Sequence, residues 1–341
     1  MNRIALAVLI SLAACGGGSK STIPNTPIPP DPAVAAGSDL DKPAPPAPPP
    51  APPAPPAPPP PLDQTIAAVD NTLKVIRPGA GKKSVLKLVG AKDAKQHVSI
   101  ALDIADRQVV VGEGSADEVA PTLVLGADVA VTDIGSDGTT SFVLTVTDVD
   151  TRDRAGAPAK PSAADLKAQV SGIIGLTIGG AVHADGQVGD LKLHLDHSDP
   201  PTRGALELVK VMLAPLWPVL PPTAIGAGAK WTVASPYKIA NQIDATRSVD
   251  YELVSHKNAG WEIKGKIAVS APDRTVSAKM KIEKVAATGT ISMTLDDGKF
   301  VPASAQTLTS DFTMAQLMPD PKGGPTSASV HLDQSFTLTP Q

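Results

Sequence analysis

Seven histidines and aspartates fall between positions 183 and 199: His183, Asp185, Asp190, His194, Asp196, His197 and Asp199. Imidazoles and carboxylates together are the ligand set of a divalent metal, and HLDHSD (194–199) is where such chemistry would sit. The local pattern argues otherwise. In GDLKLHLDH, Leu191, Leu193 and Leu195 share one face of a strand and Lys192, His194 and Asp196 share the other. Charged groups on a wet strand face need no metal to explain them, and His197 points the other way, so no metal site is expected. DVDTRD offers Asp148, Asp150 and Asp153, but it lacks the glycine and distal glutamate of a calcium loop and reads as a solvated strand end. No G-x-S-x-G elbow and no G-x-x-x-x-G-K-[ST] cradle occurs, so neither acyl-transfer nor phosphate-binding machinery is indicated. Sugar chemistry would want aromatic platforms, and Trp217, Trp231, Trp261, Tyr237 and Tyr251 are few for that. No catalytic residue, enzymatic activity or cofactor is expected.

The remaining reactive residue is Cys15, the only cysteine. It follows an apolar run, Ile4 to Leu12, with Arg3 the one charge before it. A run of that length suits a signal-peptide core and falls short of the roughly 20 residues a membrane-spanning helix needs. Leu12-Ala13-Ala14-Cys15 resembles the lipobox of bacterial lipoproteins. The resemblance implies that residues 1–14 are a signal peptide cleaved before Cys15. It also implies a covalent lipid on the Cys15 sulfur and on the new amino group, and a lipid-anchored place in the bacterial cell envelope. Gly16 stands where an aspartate would signal inner-membrane retention, so the outer membrane is the expected address. Several acyl chains, at about 0.8 kcal/mol per buried methylene, hold a protein on a bilayer far better than one. With Cys15 consumed, the mature chain has no thiol for a disulfide, a thiolate zinc site or a cysteine nucleophile.

Residues 15–61 form a Pro/Ala-rich tether. GGGS opens it and KPAPPAPPPAPPAPPAPPPP closes it. Proline fixes φ and donates no backbone hydrogen bond, so the run is excluded from helix and sheet interiors. It is expected to be disordered in the sense of unpacked, extending as polyproline II at about 3.1 Å per residue, or roughly 60 Å for the Ala-Pro stretch. A spacer between membrane and head is the reading favoured over a ligand for proline-binding modules.

Residues 62–341 are long enough for a full apolar core. The chain's net charge of −4 is well mixed, with no basic stripe, so no nucleic-acid partner is expected. Period-two alternation dominates. In SFVLTVTDVD, Phe142, Leu144, Val146 and Asp148 are expected on one face, and Val143, Thr145, Thr147 and Val149 on the other. PTLVLGADVAVTDI should pair with it across GSDG, and ADGQ and DDGK are further Asp-Gly hairpin turns. Consecutive strands joined by short turns argue for a mainly β (α+β) fold: a large antiparallel curved sheet or incomplete barrel with one or two helices packed on it. The helices are expected in PSAADLKAQVSGIIG, with Ser162 as N-cap and Asp165 completing a capping box, and in RGALELVKVMLAPLWPVLPP. The second is apolar nearly all round. It reads as a core helix, or as a lid or membrane contact through Leu213, Leu216 and Trp217.

GAGKKSVLKLV, from Gly79, echoes GAGAKWTVASPY, from Gly226, which suggests two similar halves, 62–200 and 201–341. LPPTAIGAGAKWTV also resembles a stretch found in bacterial lipoproteins without an assigned activity, through Pro221, Pro222, Gly226, Gly228, Lys230 and Trp231. That resemblance implies no reaction.

The function expected from these features is a membrane-anchored, non-catalytic binding module for a lipid or other apolar ligand. The alternative is a structural protein that docks another envelope protein and takes no small ligand.

Overall fold

The computed structural model describes residues 60–341 apart from 112–113, 156–160, 214–215, 240–242, 258–259, 278–279, 297 and 317–326. Cys15, the expected signal peptide and the expected tether through residue 59 lie outside the described residues. Pro59–Gln341 belongs to one compact unit. Its elements, in chain order, are β1 (Leu62–Ile66), β2 (Thr72–Arg77), β3 (Ala80–Ser84), β4 (Lys95–Val110), β5 (Gly114–Val119), β6 (Thr122–Ile134), β7 (Thr140–Arg152), α1 (Ala163–Val170), β8 (Thr177–Val182), β9 (Leu191–Leu195) and α2 (Pro200–Leu213). They continue with β10 (Ile225–Ala227), β11 (Lys230–Ile239), β12 (Ile243–Lys257), β13 (Gly260–Ser270), β14 (Arg274–Ser277), β15 (Met280–Asp296), β16 (Ala303–Gln316) and β17 (Ser327–Pro340).

One antiparallel sheet takes up all of these strands except β3 and β10. Its path is β1-β9-β8-β7-β6-β4-β17-β16-β15-β13-β12-β11-β2, with β5 added on β4 and β14 on β15. The path is two meanders joined where the last strand, β17, pairs with β4. Its two ends, β1 and β2, are consecutive in the chain and separated only by residues 67–71. The sheet is therefore an open ring: hydrogen bonding stops at the seam between β1 and β2, and the backbone steps across it. Side chains pin the step. Asp190 Oδ1 accepts from the Ala68 amide at 2.8 Å, and Ser235 Oγ donates to Asn71 Oδ1 at 2.6 Å.

The inner face of the ring carries the core. Val98, Ile100 and Leu102 of β4, Leu123 and Leu125 of β6, Leu191, Leu193 and Leu195 of β9, and Phe336 and Leu338 of β17 are all buried. The outward positions are polar: Lys264 and Lys266, Thr288 and Thr290, Thr307 and Asp333 are exposed. One expected alternation fails. Thr147 is an extra residue opposite the Gly126–Ala127 step, and this β-bulge turns Asp148 outward and Val149 inward. A bulge inverts the parity of everything beyond it, so Val149, not Asp148, joins the core.

Two helices fill the ring's interior. α1 starts as its sequence indicates: Ser162 Oγ accepts from the Asp165 amide at 3.2 Å and contacts the Asp165 carboxylate at 2.7 Å. Leu166 and Val170 are its buried side chains. α2 begins after Asp199, whose Oδ1 accepts from the Thr202 amide at 2.9 Å. It buries Ala205, Leu206, Val209, Met212 and Leu213, a single stripe at helical spacing. Val211 on the far side is exposed, so the helix is two-sided and not apolar all round. The chain then leaves the helix, and Leu216, Trp217 and Leu220 pack inward without regular structure. Trp217 sits with Phe142 and Phe300 at centroid distances of 4.9 and 5.4 Å, and its Nε1 donates to the Phe300 carbonyl at 3.2 Å. Each such ring pair adds about 0.5–1.5 kcal/mol beyond the area it buries.

The two GAG segments lie against each other. β3 and β10 form an antiparallel ribbon in which a Cβ at Gly79 would stand 2.2 Å from the Gly226 carbonyl oxygen. A second close approach fixes the ADGQ turn. Gly186 has φ +84°, and a Cβ there would lie 1.8 Å from the Pro218 carbonyl oxygen. Gly186→Ala is expected to lose roughly 1–3 kcal/mol by overpacking, read as a lower urea midpoint. The loss should exceed that of Gly175→Ala, where φ is +91° but a Cβ meets nothing within 4 Å. Equal losses would mean that backbone strain alone accounts for the glycine.

Candidate functional site

The interior is zoned. The main core surrounds the helices, and a second cluster of Ile282, Val285, Met314 and Val330 lies apart from it on β15, β16 and β17. A register row containing polar residues crosses the inner face of the sheet. Reading through paired positions from β5 to β11, it runs Glu118, Asp106, Leu332, Ser310, Ala287, Val269, Arg247, Ser235. Two carboxyl groups stand at one end and a guanidinium near the other. Ser310, Arg247 and Ser235 are half-buried, as are Ile104 and Gln334 one step along their strands. Solvent therefore reaches the inner face at this height.

Arg247 has the parity of Val249, Tyr251 and Leu253, which are buried. Its Nη2 donates to Gln306 Oε1 at 3.2 Å, and among the described residues no carboxylate lies within ion-pair reach. Burial pushes the phenols of Tyr237 and Tyr251 up, and the Arg247 charge partly offsets that. Both tyrosines therefore stay protonated and able to donate. Tyr251 stacks on Trp231 at 5.3 Å, and the Trp231 Nε1 donates to the Val219 carbonyl at 3.0 Å, so this wall is held firmly.

Asp106 is 5% exposed; its Oδ2 accepts from Gln108 Nε2 at 3.2 Å, and its Oδ1 has no partner. Burial raises its pKa, the Gln108 hydrogen bond lowers it, the Glu118 charge raises it and His331 lowers it, with burial the largest effect. Ser304, also 5% exposed and inward on β16 two residues before Gln306, has an unpartnered Oγ. Orphan polar atoms in a buried setting cost about 1–3 kcal/mol each. They mark places where a ligand or water group is accommodated at little further cost.

A second concavity of about 590 Å³ opens beside the seam, lined by Ala68, Val69 and Asp70, Val85 to Lys87, Asp137, Thr139, and the turn His183 to Gly189. Val69 and Val85 are each 44% exposed on its rim. Thr139 Oγ1 donates to Asp137 Oδ2 at 2.9 Å, so at 3.0 Å His183 Nδ1 must be the donor to Thr139. Hydrogen bonds from the Thr139 amide and hydroxyl hold Asp137 below the usual carboxylate range. The Thr139 hydroxyl thus bridges Asp137 and His183 and ties two exposed turns together.

The sequence-derived candidates are dispersed. His183 and Asp185 line the seam cleft. His194 Nδ1 meets Asp63 at 2.8 Å and its Nε2 meets Asp196 at 3.2 Å, on the exposed face of β9. Asp190 ties the seam and Asp199 caps α2. Asp150 pairs with Lys167 at 3.3 Å and Arg152 at 3.4 Å. Among the described residues no three His, Asp or Glu side chains are placed to hold a metal ion. Leu213, Leu216 and Trp217 are 8%, 1% and 6% exposed; they face the interior, where they fill the ring. Arg247, Gln306, Asp106 and Ser304 were not singled out from the sequence, although Arg247 has core parity in RSVDYELVS.

No protein-family profile and no curated protein matches the chain. Among solved structures, OccAB3 of Acinetobacter baumannii covers 72% of this chain and 99% of its own, at 7% identity and a TM-score of 0.22. OmpT, an outer membrane protein of Vibrio cholerae in a trimer form, covers 72% and 100%, at 8% identity and a TM-score of 0.17. Scores this low show neither a shared fold nor a shared function. The side-chain pattern separates this head from a membrane-crossing barrel on its own terms. Such a barrel is apolar outside and polar inside, and here the outward positions are polar and the inner face holds the core.

Two titrations test these environments. Hydrogen bonds to Asp63 and then Asp196 raise the His194 pKa above its ordinary value near 6.5. Its stabilising effect is therefore complete below about pH 6.5 and fades as pH rises through the folded-state value. An NMR titration should place the His194 midpoint above that of free histidine, and Asp63→Asn should bring it down. Asp106 shifts stability in the same direction, at lower pH. Its raised pKa means the folded state binds the extra proton, so stability falls as pH climbs from the unfolded value near 3.9 through the folded one. Asp106→Asn is expected to raise the thermal midpoint at pH 7 and to leave it unchanged below about pH 4. A destabilised variant at pH 7 would show that the ionised carboxylate has a partner that stabilises it.

Proposed function

We propose that this chain is a lipid-anchored protein of the bacterial cell envelope, facing the outer membrane sooner than the inner, and that its head is a non-catalytic binding module. The anchor reading rests on the Leu12-Ala13-Ala14-Cys15 motif, the short apolar leader before it and the proline-rich spacer after it. The lipids would be a thioether on the Cys15 sulfur and an amide on its amino group, so that the membrane is the first partner. The ligand lies against the inner face of the open ring.

One observation carries the binding reading. Ser310, Arg247 and Ser235 of the inner row are half-buried, as are the inward Ile104, Gln306, Phe312 and Gln334 on neighbouring levels, while Leu332, Ala287 and Val269 of the same row are buried. Ligand sites of proteins are commonly concave, mostly apolar and furnished with a few polar groups that fix orientation. The inner face of the ring meets that description.

Two measurements test the proposal. Tritiated palmitate supplied to cells should enter the wild-type chain and not Cys15→Ser; equal labelling of the two removes the anchor. Native mass spectrometry of the full chain, released gently from membranes, should retain a noncovalent lipid-sized adduct. A bare chain under conditions that preserve the fold would remove the binding module and favour a docking role.

A further inference from the structure

We infer that the ligand of the inner face is a long-chain amphiphile with a single negative charge, a fatty carboxylate, whose head group accepts hydrogen bonds from Arg247. This rests on the binding reading above and adds the ligand's chemistry to it.

The argument begins with charge. The guanidinium of Arg247 cannot lose its proton, and it is half-buried on the concave face with the neutral Gln306 amide as its partner. Among the described residues, no other inward position of β4, β11, β12, β13, β16 or β17 carries a Lys or Arg. Desolvating a cation without a counter-charge is costly, and a planar guanidinium matches a carboxylate through two parallel hydrogen bonds. One cation calls for one negative charge. Tyr251 shares the inward parity of Arg247 on β12 and Tyr237 that of Ser235 on β11, and burial raises the pKa of both phenols.

The surroundings then require a tail. The main core includes Ala287 and Val269 of the row, and the separate cluster of Ile282, Val285, Met314 and Val330 lies beyond it on β15, β16 and β17. Ile104 and Phe312 face inward beside the row and are only half-buried. A small polar anion would reach Arg247 and leave these side chains wet. A hydrocarbon chain attached to it covers them, at about 25 cal/mol for each Å² removed from water. The polar and apolar parts of the surface are thus in the arrangement of an amphiphile's own two ends.

The experiment uses the full chain in phosphatidylcholine nanodiscs and palmitate carrying a diazirine in its chain as the probe. Photolysis followed by peptide mapping should label head-domain peptides from β4, β12 or β16. Unlabelled palmitate should compete, and hexadecanol, with the same chain and no charge, should compete about ten- to a hundred-fold less well, the range for one hydrogen bond to a charged group. Arg247→Gln should lose labelling by a similar factor, and Arg247→Lys should retain part of it; thermal melts check that each variant is folded. If no head peptide is labelled, the binding module itself is wrong and this inference falls with it. If head peptides are labelled but hexadecanol competes as well as palmitate in the wild-type chain, the module stands and the anionic ligand is rejected. The alcohol comparison needs no variant, so it decides the matter even if Arg247→Gln does not fold.

Discussion

The pairing of β17 with β4 is the contact on which the rest of the head depends. It sets residues 328–340 against 98–110, from opposite ends of the described chain, and turns two meanders into one sheet. Closing so long a loop adds only about 0.6 kcal/mol for each doubling of its length, and the register that results is continuous over thirteen paired positions. A sheet this wide with a fixed right-handed twist curls on itself. Curling makes the two faces unequal: one becomes concave and dry, the other convex and wet. Every later feature, from helix placement to the buried row, follows from that inequality.

The seam is the second consequence. β1 pairs with β9 and β2 with β11, and each leaves its other edge without a strand. Exposed edges invite pairing with other chains. Here both are very short, five and six residues, and the backbone itself passes between them under the hold of Asp190 and Ser235. The ring is thus closed covalently where it is not closed by a ladder. The helices occupy its interior, and Trp217, anchored by Phe142, Phe300 and a hydrogen bond, fills the space left where α2 ends.

The ring's interior is not uniformly apolar. Asp106 and Ser304 keep orphan oxygens, and Arg247 keeps a charge with an amide for company. A fold maximising stability would replace these groups with aliphatic side chains of similar volume. Their presence on the concave face is a local cost that the fold carries.

Much of the architecture was legible in the residues. Alternation in GDLKLHLDH placed three leucines inside, Asp-Gly pairs marked the hairpins, Ser162 and Asp165 announced α1, and the lack of long parallel crossovers pointed to an antiparallel meander. These are local properties, governed by neighbours within a few positions. The bulge at Thr147 was not legible, because inserting one residue into a ladder depends on the partner strand. Nor was the true end of the second helix, because Leu216 and Trp217 look helical by composition and are drawn instead into a ring-shaped aromatic contact. By itself, then, the sequence determined the fold class and the faces of the regular strands, since each follows from period or turn type. Only the tertiary structure decided that β17 meets β4, that the histidines stay apart, and that Arg247 stands on the inner face with no carboxylate in ion-pair reach among the described residues, because each of these is a relation between strands far apart in the chain.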